Sequence, residues 1–391
     1  MVTQRERGVQ GPPARATAWG LLLAVGLAIT IGQVSTTLGV AALSLYLRAL
    51  GAPTSRIGFE VGASSVLAMV CTVGVGPLIN RWGPKPLLLV GMGAYLVAAA
   101  GLLAIPTELA ATCFRALQGV GVALVLPSAL TLVPRLAPVR PGMAIGAVGS
   151  VSTLATAVGP PVGLWLYTHG GRQALFLPAA GCAILGIGLC ALLPGIGHSE
   201  QARGGFGYER RWTRELLANA LCNAYFGGIA AYLPLVLARP AAPNAGIFFT
   251  ADALGVLVLR VPTGMLVDRS GPRLAEIIGV ATTLAGIGAL FLPASTLTLI
   301  AAGAGTGTGA GLFISAVFVS LTQRSGEHNR GTAMALGSAS FNAGIFGGAA
   351  VSGLLIGPGG FNAVLILGLA TTLTGLPLVV FERQPHQAQP V

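Results

Sequence analysis

Apolar residues fall along the chain in long blocks interrupted by single arginines, prolines and glycines. The blocks predict helices over 18–47, 57–80, 86–105, 109–134, 142–168 and 173–194, then 215–238, 245–267, 273–293, 296–323, 330–357 and 360–381. Each holds roughly the 20 residues needed to cross a hydrocarbon core at 1.5 Å per residue. One polar stretch, containing "HSEQARGGFGYERR", divides the series in two. The expected organisation is an N-terminal tail (1–17), a six-helix bundle (18–194), a linker (195–214), a second six-helix bundle (215–381) and a C-terminal tail (382–391). The fold class read from this pattern is an all-α polytopic membrane protein with twelve transmembrane helices in two bundles.

Composition agrees with lipid as the solvent. Hydrophobic residues make up 54% of the 391 positions and charged residues only 8%, more apolar surface than one water-soluble core of this length could bury. The formal charge of +11 does not imply nucleic acid, because the basic residues stand singly at the ends of apolar runs, as the loop charges of a membrane protein do. Sixteen of the 22 basic residues fall in the tails and alternate connections on one side and four on the other, with Arg115 and Arg260 inside spans. By the positive-inside rule both termini are expected in the cytoplasm. The first apolar block is too long for the core of a cleaved signal peptide and is expected to be retained. Cys71, Cys113, Cys182, Cys190 and Cys222 lie in apolar runs without metal-ligand spacing and read as packing residues.

The chain repeats itself. "GPLINRWGPKP" and "GMLVDRSGPRL" align at an offset of 188, pairing Gly76 with Gly264, Leu78 with Leu266, Asn80 with Asp268, Arg81 with Arg269, Gly83 with Gly271, Pro84 with Pro272 and Lys85 with Arg273. The same offset places Gly149, Ser150, Ser152, Ala155 and Gly159 on Gly337, Ser338, Ser340, Ala343 and Gly347. Upstream, Pro53 and Ile57 match Pro243 and Ile247 at an offset of 190, which predicts a two-residue length difference within the second or eighth span. Tandem halves of this kind are pseudo-symmetric bundles, and a site between them near the midplane is the expectation.

These paired segments resemble the signature between the second and third helices of the major facilitator superfamily, G-x-L-a-D-R-x-G-R-[RK]. The first copy departs from it at Asn80, while the second keeps Asp268, so a charge-based gating role is better placed in the second copy. The resemblance implies that Gly76, Asn80, Arg81, Gly83, Lys85, Gly264, Asp268, Arg269, Gly271 and Arg273 form a gating motif whose contacts stabilise one conformation; the plainer reading is a pair of short turns with topology-anchoring charges. "CFRALQGVGVAL" in the fourth span resembles the family's R-x-x-Q-G-x-G pattern through Arg115, Gln118, Gly119 and Gly121. "AIGAVGSVSTLATAVGPPVGLWL" in the fifth resembles the antiporter motif through Gly159, Pro160 and Gly163, with Gly149 as a further small residue, while Ala155 and Leu164 replace two of its glycines. That resemblance implies a face that seals the halves in one state and marks exporters; ordinary small-residue packing is the alternative.

Few ionisable groups lie well inside apolar runs, and an intramembrane charge is a functional candidate by default. Glu60, Arg115, Asp252 and Arg260 are therefore the candidates for proton coupling, with Asp252 first; a structural ion pair or a rim charge is the competing account. The resemblance implies that the first, fourth, seventh and tenth helices face the cavity. Gln33, Thr37, Gln118, Asn219, Asn223, Tyr225 and Thr306 are then candidate cavity contacts, with an interhelical hydrogen bond the plainer reading of each.

No phosphate loop, zinc spacing or nucleophile elbow occurs in the chain, so no cofactor, metal or enzymatic activity is expected. The expected function is secondary active export of a small organic molecule, a drug or metabolite, by alternating access in exchange for protons. The expected setting is a bacterial cytoplasmic membrane, with the protein acting as a monomer and its partners being the substrate, protons and the lipid bilayer. An importer or facilitator of a small nutrient on the same fold is the first alternative. A receptor or assembly factor without transport is the second.

Overall fold

A computed structural model describes residues 15–136, 141–193, 208–239, 241–326 and 329–380; its side-chain description leaves out 15–22, Asn80, 134–152, Arg260, Val261, Gly264 and Asp268. Helices α1 (Arg15–Ala49), α2 (Thr54–Trp82), α3 (Pro84–Ala104), α4 (Glu108–Leu136) and α5 (Pro141–Leu192) form the first half. After a single 3-10 turn at Arg210–Trp212, α6 (Thr213–Val236), α7 (Gly246–Ser270), α8 (Pro272–Ala289), α9 (Thr296–Gln323) and α10 (Arg330–Val380) form the second. Residues 1–14, 195–207 and 381–391 of the expected tails and linker lie outside the described residues.

The last two segments of each half, expected as separate spans, are joined through one residue. Gly171 (φ 63°, ψ −153°) divides α5 and Gly360 (φ 62°, ψ −163°) divides α10. Only glycine takes such a positive φ without a Cβ clash, so the chain needs no longer loop. The chain doubles back at Gly171, since the Tyr46 ring packs edge-on against both Tyr167 and Phe176 on either side of it. Eight helices of the described residues are long and apolar enough to cross a membrane, with α5 and α10 each counted once. At 51 residues, α10 would be about 76 Å long if straight, more than twice the ~30 Å hydrocarbon core.

Helix crossings reproduce the sequence repeat and extend it. A Cβ on Gly119 would lie 2.0 Å from the Ser64 carbonyl oxygen, and one on Gly307 would lie 1.8 Å from that of Asp252. Gly121 sits against Gly91 and Tyr95, and Gly309 against Gly279 and Thr283. Every residue in the first set has its counterpart 188 positions later, so α2, α3 and α4 cross one another as α7, α8 and α9 do. The alternating glycines of "AGAGTGTGAG" thus serve two contacts, Gly303 and Gly307 facing α7 and Gly305 and Gly309 facing α8.

The halves meet through α2 against α10 and α5 against α7. A Cβ on Gly58 would meet the Ala349 carbonyl at 2.0 Å, and one on Gly246 would meet Pro161 at 2.3 Å, again two pairs related by 188. This corrects the offset of 190 expected for the start of α2 and α7. A two-residue slip turns a helix by about 200°, which would point Gly58 or Gly246 away from its neighbour. The length difference therefore precedes these glycines and lies outside the body of the span.

At the opposite end of each half, the signature loop is a tight turn in which Gly83 (φ 82°) and Gly271 (φ 76°) terminate one helix and open the next. Lys85 donates to the Ala191 carbonyl at 2.9 Å and also to that of Leu193, and Arg273 donates to the Val380 carbonyl. A cation at the start of the third segment thus caps the C-terminal carbonyls of the sixth in both halves. These bonds stay within one half.

Candidate substrate and coupling site

Asp252 sits on α7 where that helix crosses α9 and is buried. The Thr306 hydroxyl donates to its Oδ1 at 2.7 Å, and the Tyr225 hydroxyl donates to the Thr306 carbonyl at 3.5 Å. Gly303 and Gly307 bring the α9 backbone onto that of α7 on either side of this hydrogen bond. The carboxyl group therefore rests on one neutral donor, and no basic side chain among the described residues pairs with it. Arg260, the other coupling candidate on the same helix, lies outside the described side chains.

The matching crossing in the first half carries the opposite charge. Arg115 on α4 donates from Nη1 to Gln118 Oε1 at 2.7 Å and from Nε to the Val61 carbonyl at 3.4 Å. Gln118 and Thr306 are 188 residues apart, as are Ser64 and Asp252. Each half thus presents one charge at the same crossing, a guanidinium steadied by an amide in the first and a carboxylate steadied by a hydroxyl in the second. Arg115 forms no ion pair among the described residues.

Several other predicted contacts are occupied by helix packing. Asn219 Nδ2 donates to the Gly337 carbonyl and to Ser340 Oγ, both at 2.9 Å, while Asn223 Nδ2 donates to the Asn219 carbonyl at 2.8 Å. The Thr37 hydroxyl donates to the Ala155 carbonyl at 2.9 Å. Gln33 is half-buried, and its backbone carbonyl accepts from Thr36 and Thr37. Of the gating motif, Gly76, Arg81 and Arg269 are exposed, and the side chains of Asn80 and Asp268, with Gly264, lie outside the description.

The antiporter-like stretch divides its work between two faces. A Cβ on Gly159 would meet Thr37 Oγ1 at 2.1 Å and one on Gly163 the Leu38 carbonyl at 1.8 Å, so both glycines face α1 of their own half. Pro160 is buried beside them, and Gly149 falls outside the described side chains. Contact across the halves falls to their neighbours: Pro161 packs on Gly246, and the Thr250 hydroxyl donates to the Ala157 carbonyl at 2.8 Å.

Two residues that sequence reasoning did not single out stand at the other seam. Tyr232 of α6 accepts from the Gly58 backbone N–H at 2.8 Å and donates to the Thr54 carbonyl at 3.0 Å, so its hydroxyl bridges an i/i−4 backbone pair at the start of α2 from the opposite half. Glu108, at the first turn of α4, ion-pairs with Arg56 at 3.6 Å and lies against Glu60, which is buried and is not a rim charge. The aromatic at 232 has no counterpart in the repeat to flag it. Tyr232→Phe removes both hydrogen bonds and should loosen this seam by about 1 kcal/mol. The check is the reactivity of Phe59→Cys toward an impermeant maleimide in a cysteine-depleted background, which should rise several-fold.

Apolar helices sealed by small residues, duplicated in two halves around sparse intramembrane charges, define a multi-pass membrane carrier. The family model described as Major Facilitator Superfamily matches residues 23–242 and again 216–391, and the chain belongs to that superfamily of transporters. It is 30% identical to the tetracenomycin C resistance and export protein of Streptomyces glaucescens over 48% of this chain and 35% of that one. It is 33% identical to the uncharacterized MFS-type transporter Rv1250 of Mycobacterium tuberculosis over 39% of this chain and 28% of that one. The matches thus span about a third of those two relatives. An uncharacterized MFS-type transporter of Methanocaldococcus jannaschii, MJ1560, aligns more fully, at 26% identity over 84% of this chain and 90% of its own. Among solved structures, a mutant form of the nucleoside transporter NupG superposes with a TM-score of 0.75 at 14% identity, covering 92% of this chain and 98% of that one. That likeness concerns the fold.

Proposed function

We propose that this transporter exports a small organic molecule by alternating access, in exchange for protons that load and leave Asp252. The observation carrying the reading is the environment of that carboxyl group: buried at a glycine-sealed crossing and held by Thr306, with no basic partner among the described residues. A membrane-embedded acid without a fixed counter-ion can take up and release a proton as its surroundings change between two conformations. Similarity to the tetracenomycin C protein, and at 29% identity over 44% of the chain to the multidrug efflux pump LfrA of Mycolicibacterium smegmatis, supports export.

The distribution of Lys and Arg supports an orientation with both termini in the cytoplasm, and the bacterial relatives support an inner-membrane setting. On that reading the seams at Gly58–Ala349 and Gly246–Pro161 lie toward the outside, and the conformation is one closed to the exterior. On this reading the protein works as a monomer, since Asp252, Thr306 and Tyr225 come from one half of one chain. The test is efflux in inverted vesicles from a pump-deficient host, using substrates drawn from a resistance screen of antibiotics and dyes at two external pH values. Accumulation should collapse when the proton gradient is dissipated. Uphill movement that survives complete dissipation refutes the coupling.

A further inference from the structure

Away from Asp252, the start of α2 and the first turn of α4 enclose a second charged place. Arg56, Glu60 and Glu108 border a cleft of about 750 Å³ whose remaining walls are largely apolar: Phe59 and Leu109 from the first half and Leu354 on α10 from the second. That volume falls within the range of sites that hold a drug-sized molecule. Glu60 is only 4% exposed, and its Oε2 is buried without a hydrogen-bond partner. Glu60 lies against Glu108, so two carboxyl groups share the cleft. Among the described residues Arg56 is the one cation bordering it; it pairs with Glu108 at 3.6 Å, and its side chain is 70% exposed. Two carboxyl groups in contact do not both ionise readily, and a further cation beside them would stabilise both as carboxylates. A buried charge of this kind is costly until a partner arrives. Phe59, Leu109 and Leu354 are themselves exposed, which leaves the cleft open to apolar molecules.

We propose that this cleft binds an amphipathic organic monocation, its positive charge against Glu60 and Glu108 and its apolar body against Phe59, Leu109 and Leu354. One positive charge neutralises the set, whereas a neutral or anionic molecule leaves Glu60 unsatisfied. Because α2 and α10 supply opposite walls, the bound cation touches both halves at their seam. The site is separate from the α7–α9 crossing and does not depend on Asp252 being the coupling residue.

The experiment is equilibrium binding of radiolabelled tetraphenylphosphonium to the purified full chain in phosphatidylcholine nanodiscs. Saturable binding is expected. Glu60→Gln should weaken it about tenfold, the scale of one charge-assisted contact. Arg56→Gln, which removes the competing cation, should tighten it, and uncharged triphenylphosphine oxide should compete poorly. Leu354→Trp fills the cleft without touching its charges and should abolish binding, which keeps the test decisive if Glu60→Gln fails to fold. Binding indifferent to Glu60→Gln, or undiminished by Leu354→Trp, overturns the proposal. So does binding lost in Asp252→Asn but kept in Glu60→Gln, which would place the cation at the other crossing. Displacement of the probe by phosphatidylethanolamine in the nanodisc, abolished by Glu60→Gln, would also overturn it by identifying a lipid headgroup as the occupant.

Discussion

Asp252→Asn should leave a correctly inserted, folded protein that no longer moves its substrate uphill. Asparagine keeps the size of the side chain and an Oδ1 acceptor for the Thr306 hydroxyl, now 2.7 Å away, so the α7–α9 crossing loses little. What disappears is the capacity to take up and release a proton within the membrane. Gradient-driven efflux should fall by about 100-fold or more, the scale on which removing a positioned proton-transfer group acts. Downhill equilibration of the same substrate across reconstituted liposomes should stay within a few-fold of the parent protein, because that process needs alternation without proton exchange. The measurement is paired uphill and downhill flux on one preparation, with the melting temperature as a check on folding. Equal loss of both fluxes would make Asp252 a structural residue. Retention of uphill flux would remove it from the coupling mechanism.

The bundle and its duplication were legible from the linear sequence because apolar length and the offset of 188 report them directly. The helix estimated at 296–323 is α9 (Thr296–Gln323) to the residue. Less legible were features that depend on which way a side chain faces. Matching Pro53 and Ile57 to Pro243 and Ile247 aligned the letters, but Gly58 on Ala349 and Gly246 on Pro161 show which residues occupy equivalent places. The turns at Gly171 and Gly360 were hidden because a single positive-φ residue does the work expected of a loop. Glu108 carries no sequence signal at the edge of its span, since only the fold brings it against Glu60, 48 positions earlier in the chain. Asn219 and Asn223 read from the sequence as candidate cavity contacts, yet composition cannot reveal that their amides are spent on Gly337, Ser340 and each other.

The crossings also explain why charge is divided between the halves. Ser64 and Asp252 occupy equivalent places beneath Gly119 and Gly307, and Gln118 and Thr306 lie beside those glycines. Duplication supplied two identical joints, and divergence then put Arg115 beside one and a carboxyl group into the other. The first half therefore carries a cation at this joint and the second an acid, a polarity that twofold-identical halves would lack. This asymmetry makes the two joints separable by mutation.

Gly307→Ala should be among the most destabilising single-methyl additions in the chain. Its Cβ would stand 1.8 Å from the Asp252 carbonyl oxygen and 2.5 Å from the carbonyl carbon. Both are backbone atoms of a packed helix, so no rotamer change relieves the overlap and α7 must move away from α9. The expected loss is about 3 kcal/mol, the upper range for overpacking a tight interface, read as a lower melting temperature in detergent. Gly119→Ala meets the Ser64 carbonyl at 2.0 Å and should destabilise comparably. Gly347→Ala, with nothing within 4 Å of its Cβ, should change stability by no more than about 0.5 kcal/mol. The informative contrast is functional. In whatever fraction of each variant remains folded, Gly307→Ala separates Thr306 from Asp252 and should impair proton-driven flux, whereas Gly119→Ala leaves that hydrogen bond intact and should retain it. Equal flux per folded molecule in the two variants would show that the Thr306–Asp252 contact is not needed for coupling.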